Sequence, residues 1–431
     1  MFQDKLDVKI DGGYDIEFPK MYKVKQLFNR EKVDSIPETV KHELSKEEIK
    51  SRIKSGDQVA VAVGSRGIAN IFEIVQSVVN ELKNLGAKPF IFPAMGSHGG
   101  ATAEGQREVL ASFGITEENL GVEIKSSMEV VEVGKTVSGI PAYIDKHAYE
   151  ADSIVVINRV KPHTDFKADY ESGLMKMMGI GIGKHKGATM MHSFGFDQFY
   201  RVVPEVAEAV LKTGKIAFGV AIIENAYDET KKIVAIPPDQ IVAREKELLK
   251  EAKASMPRII PREIDVLIVN EIGKDISGSG MDPNITGRTG SGLPGFEGPN
   301  IQKIFVTDLT EKTHGNACGI GLADVTTRRV VQKIDFNYTY ANSITSTVLN
   351  PAKIPVAMNN DREALVVALK TCTNISIPEA KIVRIKNTLE LDYILVSESV
   401  YDMIKDDPNI EFVEGPMELS FDEDGFFNDE M

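Results

Sequence analysis

Apolar residues recur along this chain in two alternating rhythms. The run DQVAVAVGS (57–65) is short, continuous, rich in β-branched residues and closed by glycine, which predicts a buried strand. ANIFEIVQSVVNELKNLGA (69–87) spaces its apolar residues three and four apart and stops at Gly86, which predicts a helix. KPFIFPAMGS (88–97) is a second strand, so the three segments form a βαβ unit. The alternation continues with a helix in ATAEGQREVLASFG (101–114), a β-rich piece from Val122 to Ile144, the strand DSIVVINRV (152–160), the helix PEVAEAVLKTG (204–214) and the strand KIAFGVAII (215–223). A helix at each crossover implies a mainly parallel sheet covered on both faces.

After the polar helix IVAREKELLKEAKASM (241–256) comes PRIIPREI, whose two prolines interrupt helical continuation and mark a boundary near residue 257. A second α/β series follows: IDVLIVNEIG (264–273), KIFVTDLT, REALVVALKTC and KIVRIKN. The expected architecture is therefore two α/β domains, 1–257 and 258–415, with a cleft between them. The closing 416–431, acidic and aromatic in ELSFDEDGFFNDEM, reads as a loosely held tail. GRTGSGLPGFEGP (287–299) reads as a long mobile loop.

Composition narrows the function. A formal charge of −14 over 431 residues argues against nucleic acid or an anionic membrane as partner, so any anion must be met by a local basic site. The N-terminus lacks the basic and apolar regions of a secretory signal, and no window reaches eighteen apolar residues, which predicts a cytoplasmic protein. Cys318 and Cys372 are the only cysteines and form no CxxC, which excludes a disulfide framework, an iron–sulfur site or a Cys-rich zinc site.

Several loops at predicted strand ends carry chemistry. Gly64, Ser65, Arg66 and Gly67 offer backbone N–H groups and a guanidinium fork suited to a phosphate or carboxylate, although a tight turn with a surface arginine has the same pattern. His98 in GSHGG and His163 in KPHTDF can serve as acid/base groups, with an ordinary pKa of ~6.5; each also reads as a loop-bonding histidine. Lys274 in EIGKD is a second candidate carboxylate contact, or a surface lysine. In parallel α/β sheets ligands bind outside the carboxyl ends of the strands, so these loops are expected at one crevice. The stretch ESGLMKMMGIGIGKHKGATMMH (171–192) mixes Lys176, Lys184, His185, Lys186 and His192 with methionines and glycines, as a partly dry basic pocket would. Its GIGIGK lacks the final GxxG or GK[ST] and follows no strand, which excludes a dinucleotide loop or a P-loop. Its methionines read mainly as adaptable core, and His185 and Lys186 as solvated.

SGLMK (172–176), with His163 upstream and His192 sixteen residues beyond the lysine, resembles the nickel-dependent lactate racemase family of 2-hydroxyacid racemases and epimerases. The likeness extends through most of the first half: a strand ending in Ser-Arg where the family has Thr-Arg, a histidine in a Ser-His loop, a Pro-His, an SGxxK and a later His. The resemblance implies a nickel-pincer nucleotide, a pyridinium mononucleotide gripping nickel through two sulfur substituents and a ring carbon. It implies that Lys176 binds this cofactor covalently through a thioamide, that His192 is the protein's nickel ligand, and that His98 and His163 are the paired acid/base residues. It also implies accessory proteins that build the cofactor, with a small 2-hydroxy acid as substrate. The chain departs from the family in carrying Val63, in VGSRGIAN, where the lactate enzymes have aspartate, which points to a different 2-hydroxy acid. Two other readings stay open from the residues: a phosphometabolite-binding protein without redox chemistry, and a zinc hydrolase or lyase using His98, His163 and His192 as ligands.

Overall fold

The computed structural model of the chain describes residues 6–65 and 67–428, and these divide into two compact units, residues 29–256 and residues 1–28 with 257–431. No described helix is long and apolar enough to cross a membrane.

Unit 29–256 is built on a five-stranded sheet. Gln58–Val63 lies between Lys88–Pro93 and Ser153–Arg159, all parallel, and Ser153–Arg159 continues to Ile216–Glu224. Strand interiors are apolar on both faces because helices cover both: Val59, Val61, Val155, Val220 and Ile222 are fully shielded, against Ile74, Val75, Val78 and Leu82 of helix Ile71–Asn84. Each such side chain contributes about 1.5–3 kcal/mol on burial. The expected strands and helices appear within a few residues, but the sheet ends in an antiparallel edge strand, Thr230–Ile236, absent from the sequence reading. Its TKKIVAI carries three polar residues at its start and reads locally as a turn. The Val122–Ile144 segment forms a separate hairpin, Val130–Lys135 with Pro141–Asp145.

From Gln58–Val63 the chain goes to Lys88–Pro93 on one side and then returns to Ser153–Arg159 on the other, so the sheet grows in opposite directions from this strand. That is a topological switch point, where the loops after two adjacent parallel strands splay apart and admit a ligand. Gly64–Gly67 and the loop bearing His163 are the two loops that flank it.

The other unit holds an eight-stranded sheet in which Glu263–Ile272, Asn300–Leu309, Val325–Thr327, Val356–Met358 and Ile382–Ile385 run parallel. Three antiparallel strands complete it, and here the sequence reading is corrected. Met21–Gln26 pairs with Tyr393–Ser397 and with Ile410–Met417, so the N-terminal 28 residues belong to this unit and not to the first. A six-residue strand carries no local record of its partner. The closing segment is also held: Phe421 and Phe427 stack on one another at 4.9 Å and pack on the core, and the Arg384 guanidinium lies 4.0 Å from the Phe427 ring. The glycine-rich 287–299 begins at Arg288, which ion-pairs with Asp324 and donates to the carbonyls of Leu322, Ile301 and Gln302, so its entry is pinned. Lys274 lies in this unit after the strand Glu263–Ile272, its ammonium donating to the Gly278 carbonyl and its amide to Thr313 Oγ1 at 3.1 Å.

A candidate active site at the switch point of the first unit

Residues 174–192 fold as three consecutive turns of helix: Leu174–Lys176, a π-helical turn Met177–Gly181, and Lys184–His192. π-turns are rare and concentrate at functional sites. Lys176 ends the first of these segments and His192 the last, with a turn at 182–183 and Lys184 at φ +54 between them.

The start of this element is fixed by a buried carboxylate. Glu245, 1% exposed, projects from the helix Pro238–Ser255 and accepts the Met175 amide at 2.9 Å. It takes the place of a capping residue, because Gly173 has no side chain to offer; a Cβ there would sit 2.4 Å from Glu245 Oε1. Burial pushes the Glu245 carboxyl up to about 7, with the amide bonds opposing. Between about pH 4.5 and about 7 the folded protein thus holds a proton that the unfolded chain releases, so stability contributed by this group falls as pH rises through that window. Glu245→Gln is expected to flatten this dependence. Unfolding free energies at pH 5 and pH 8 should differ by up to ~3 kcal/mol more in the unaltered protein than in the variant. Equal pH dependence in both would show that Glu245 does not titrate there.

The His163 loop is fastened to the same element. Lys161 and Ser172 exchange backbone hydrogen bonds at 2.9 and 3.0 Å, and Asn158 Nδ2 donates to the Gly173 carbonyl at 2.8 Å. Glu171, 1% exposed, accepts the His163 amide at 2.7 Å with one oxygen and the Lys253 ammonium at 2.6 Å with the other. These contacts bring His163 Nε2 to 2.6 Å from Lys176 Nζ. The ring's other nitrogen, Nδ1, accepts the Asp165 amide at 3.0 Å.

Aromatic rings enclose the histidines. Phe196 reaches His163 (5.8 Å between centroids) and His192 (5.5 Å), and Phe199 packs on His192 at 5.4 Å. Burial first, and the Lys176 charge second, push the His192 imidazole down to about 4. At neutral pH it is an uncharged nitrogen donor, the form that binds a metal.

The His98 loop joins from the other side. Gly96 donates its amide to the Gly181 carbonyl at 3.2 Å, and Ser65 Oγ hydrogen-bonds His98 Nδ1, so the loops after Val63 and Pro93 meet. The glycines after His98 do not simply clear space for a ligand. Gly99 (φ +63) presses on the backbone of the next helix, where a Cβ would lie 2.5 Å from the Gly105 carbonyl carbon, whereas Gly100 has open space. Gly64 abuts Met177, whose Cε would be 2.9 Å from a Cβ there, and Gly67 has nothing within 4 Å of one. Arg66 lies outside the described residues.

Lys184 was invisible in the sequence as a structural residue. It is fully buried, adopts φ +54, and donates to the Pro93 carbonyl (2.7 Å) and Gln106 Oε1 (2.6 Å), with Asp145 Oδ2 at 3.6 Å. Gln106 in turn donates to the carbonyls of Gly96 (2.9 Å) and His98 (3.2 Å), so this cluster braces the His98 loop. His185 and Lys186 are exposed, and Lys186 lies 4.6 Å from the Tyr143 ring centroid. Glu245 and Gln106 also escaped the sequence reading, since acidic or amide residues in amphipathic helices ordinarily face solvent, as did Glu171, which lies in a bend where a carboxylate is ordinarily solvated.

Ser65 with His98, and His163 with Lys176, are thus two contacting pairs, and Phe196 links the second pair to His192. Among the described residues no three His, Cys, Asp or Glu side chains converge to hold a metal ion, so the zinc reading finds no ligand set there.

Comparison with known proteins bears on the same segment. No curated protein matches the chain. Among solved structures, the lactate racemase apoprotein from Thermoanaerobacterium thermosaccharolyticum is similar with a TM-score of 0.46 and 12% identity, over 85% of this chain and 88% of that one. Residues 4–199, which span the His98 and His163 loops, Lys176 and His192, match the model of the lactate racemase N-terminal domain. Over that segment, less than half of its length, the chain is similar to the lactate racemase N-terminal domain.

Proposed function

We propose that the chain is a 2-hydroxyacid racemase or epimerase that works with a nickel-pincer nucleotide attached at Lys176. The observation that carries the reading is the pairing, within residues 174–192 and the loop they fasten, of an amine held against one imidazole with a second imidazole kept uncharged among phenyl rings. These residues fit the group. Lys176 supplies the attachment point, His192 supplies one neutral nitrogen, and a metal whose other ligands are organic needs no more from the protein. Gly64 and Ser65, at the switch point, are suited to meet a phosphate group of such a cofactor.

When bound, such a cofactor supplies the hydride acceptor for the substrate's C–H bond. The chain's own residues do the rest. A hydroxyl proton must leave the 2-hydroxy acid as its C–H bond breaks, and an imidazole is suited to take it near neutral pH. Ser65 fixes His98 through Nδ1, which leaves Nε2 as the atom for this transfer. The Asp165 amide does the same for His163. Two bases serve two hands of substrate, because the planar 2-keto acid can be reduced again on either face. Phe196 and Phe199 keep water from the reacting carbon. Arg66 is the proposed carboxylate partner, and Val63 in place of aspartate makes an acid other than lactate the expected substrate. Accessory proteins that assemble the cofactor are the expected partners.

The reading is tested by producing the protein in cells able to make the pincer nucleotide. The peptide containing Lys176 should carry a mass increment, the protein about one nickel per chain, and one 2-hydroxy acid should lose optical activity. Racemisation by unmodified, nickel-free protein from such cells would defeat it.

A further inference from the structure

Parallel α/β sheets receive ligands at the carboxyl ends of their strands. In the unit formed by 1–28 and 257–431 that edge is filled by the chain's own closing segment. Asn270, Thr307 and Arg384 stand near the carboxyl ends of their strands, and Arg329 and Asp361 lie in the first turns of the helices that follow Val325–Thr327 and Val356–Met358. Arg384 Nε donates to Asn270 Oδ1 at 2.8 Å, while Arg329 Nη2 donates to the Thr307 carbonyl at 3.2 Å and to Asp361 Oδ2 at 3.3 Å. Two phenyl rings cover this floor. Phe426 lies 4.3 Å from the Arg329 guanidinium and Phe427 4.0 Å from that of Arg384, the stacking that arginine favours.

The covering piece is a self-contained turn. Asp422 Oδ1 accepts the amides of Asp424 (3.0 Å) and Phe426 (2.8 Å), and the Asp422 amide donates to the Phe426 carbonyl at 2.8 Å. Its polar links to the body run through one helix end. The Asp424 carbonyl accepts from Asn360 Nδ2 (2.7 Å), the Gly425 carbonyl accepts the Arg362 amide (2.9 Å), and the Phe427 amide donates to Asp361 Oδ2 (3.0 Å). Gly425, at φ +87, approaches so closely that a Cβ would lie 2.5 Å from Asn360 Nδ2. The turn is thus seated as a bound peptide would be, a carbonyl on the first-turn N–H of a helix and rings on arginines. Charge is complementary too, since the segment carries Glu418, Asp422, Glu423 and Asp424 and its seat Arg329, Arg362 and Arg384. The fit is incomplete. Asp361, 1% exposed, keeps Oδ1 without a hydrogen bond, as does the shielded Arg329 Nε, from which Asp308 Oδ2 is 4.0 Å away. Shielded polar atoms left so are costly, which weakens the resident's hold relative to a ligand that satisfies them.

We infer that this crevice is a docking site for an acidic, phenylalanine-bearing peptide, occupied in cis by residues 418–428 and open to such a segment of a partner protein when the turn swings out. The turn makes its backbone bonds mostly within itself, so it leaves as a unit and the sheet stays intact.

The test is competition between the resident segment and the same sequence in trans. The probe is the peptide ELSFDEDGFFN (418–428) with an N-terminal fluorescein, and the hosts are the full chain and its Phe427→Ser variant, in which the resident is weakened. By fluorescence anisotropy the variant should bind the peptide at least about 10-fold more tightly than the unaltered chain, and a peptide with serine at both adjacent phenylalanines should lose at least about 10-fold. Equal affinity of the two hosts, or no binding by a folded variant, overturns the inference. Hydrogen exchange on the unaltered chain decides if the variant does not fold. The amides of Asp422, Phe426 and Phe427 should exchange at least about 100-fold faster than that of Ile268, which lies in a strand paired on both sides, because the turn opens without the sheet. Exchange at the Ile268 rate would mean that the turn leaves only on unfolding, and overturns the inference as well. Concentration-dependent dimers of the unaltered chain in sedimentation, abolished by Phe427→Ser, would make a second copy the occupant and overturn the assignment to a separate partner.

Discussion

Loaded protein carrying His98→Ala is expected to keep its Lys176 adduct and its nickel while racemising about 10²- to 10⁴-fold more slowly, the usual worth of a positioned acid/base group. That span corresponds to ~3–5 kcal/mol of barrier. His98 touches Ser65 and its loop is braced by Gln106, whereas Lys176 is held against His163, so loading and turnover are expected to separate at His98. His163→Ala should differ in kind. It removes a proton carrier whose ring also contacts Lys176 Nζ at 2.6 Å, so both adduct yield and turnover per loaded chain should fall. Near-normal rates in both variants would return the two histidines to a purely structural role.

The largest stability effect is expected at Lys184. Lys184→Met deletes two hydrogen bonds, to Pro93 and Gln106, and strips the buried Asp145 carboxylate of its cation; the Oδ2 atom already has no hydrogen-bond partner. Breaking a buried pair by removing one partner costs about 3–5 kcal/mol, because the surviving charge stays in a poor solvent. Burial pushes Lys184 down to about 8 and Asp145 up, so each charge is tolerated only through the other. Asp145→Asn keeps the acceptor that caps the Ala148 amide at 3.2 Å and removes the charge. Combined with Lys184→Met it should recover part of the loss, and the two changes should be strongly non-additive in urea denaturation. A loss under about 1 kcal/mol in the single variant would mean that the pair contributes little.

The long parallel strands were legible in the sequence because central strands buried on two faces must be continuous apolar runs, as in QVAVAV and SIVVIN, whereas the three-residue parallel strands Val325–Thr327 and Val356–Met358 were too short to read. The antiparallel strands were not legible either. Met21–Gln26, Thr230–Ile236 and Ile410–Met417 are mixed in polarity, and the first and last find their partners hundreds of residues away. The site was legible where residue type and strand end coincide, as with His163 and Lys176, which prove to be in contact. What surrounds them was not, because Glu245, Glu171, Gln106 and Lys184 act from the interior, where their charges and amides are unexpected and only three-dimensional packing reveals them.

The backbone exchange between Lys161 and Ser172 closes the intervening segment at its neck, while Glu171 ties the inside of the ring to His163. Residues at its rim, such as Asp169, whose contact is with Lys246 on the surface, lie outside that knot. Variation can therefore accumulate along the rim while the amine and imidazole keep their spacing. Descendants of such a protein are free to explore new acids by remodelling an outer ribbon without rebuilding the chemistry at its root.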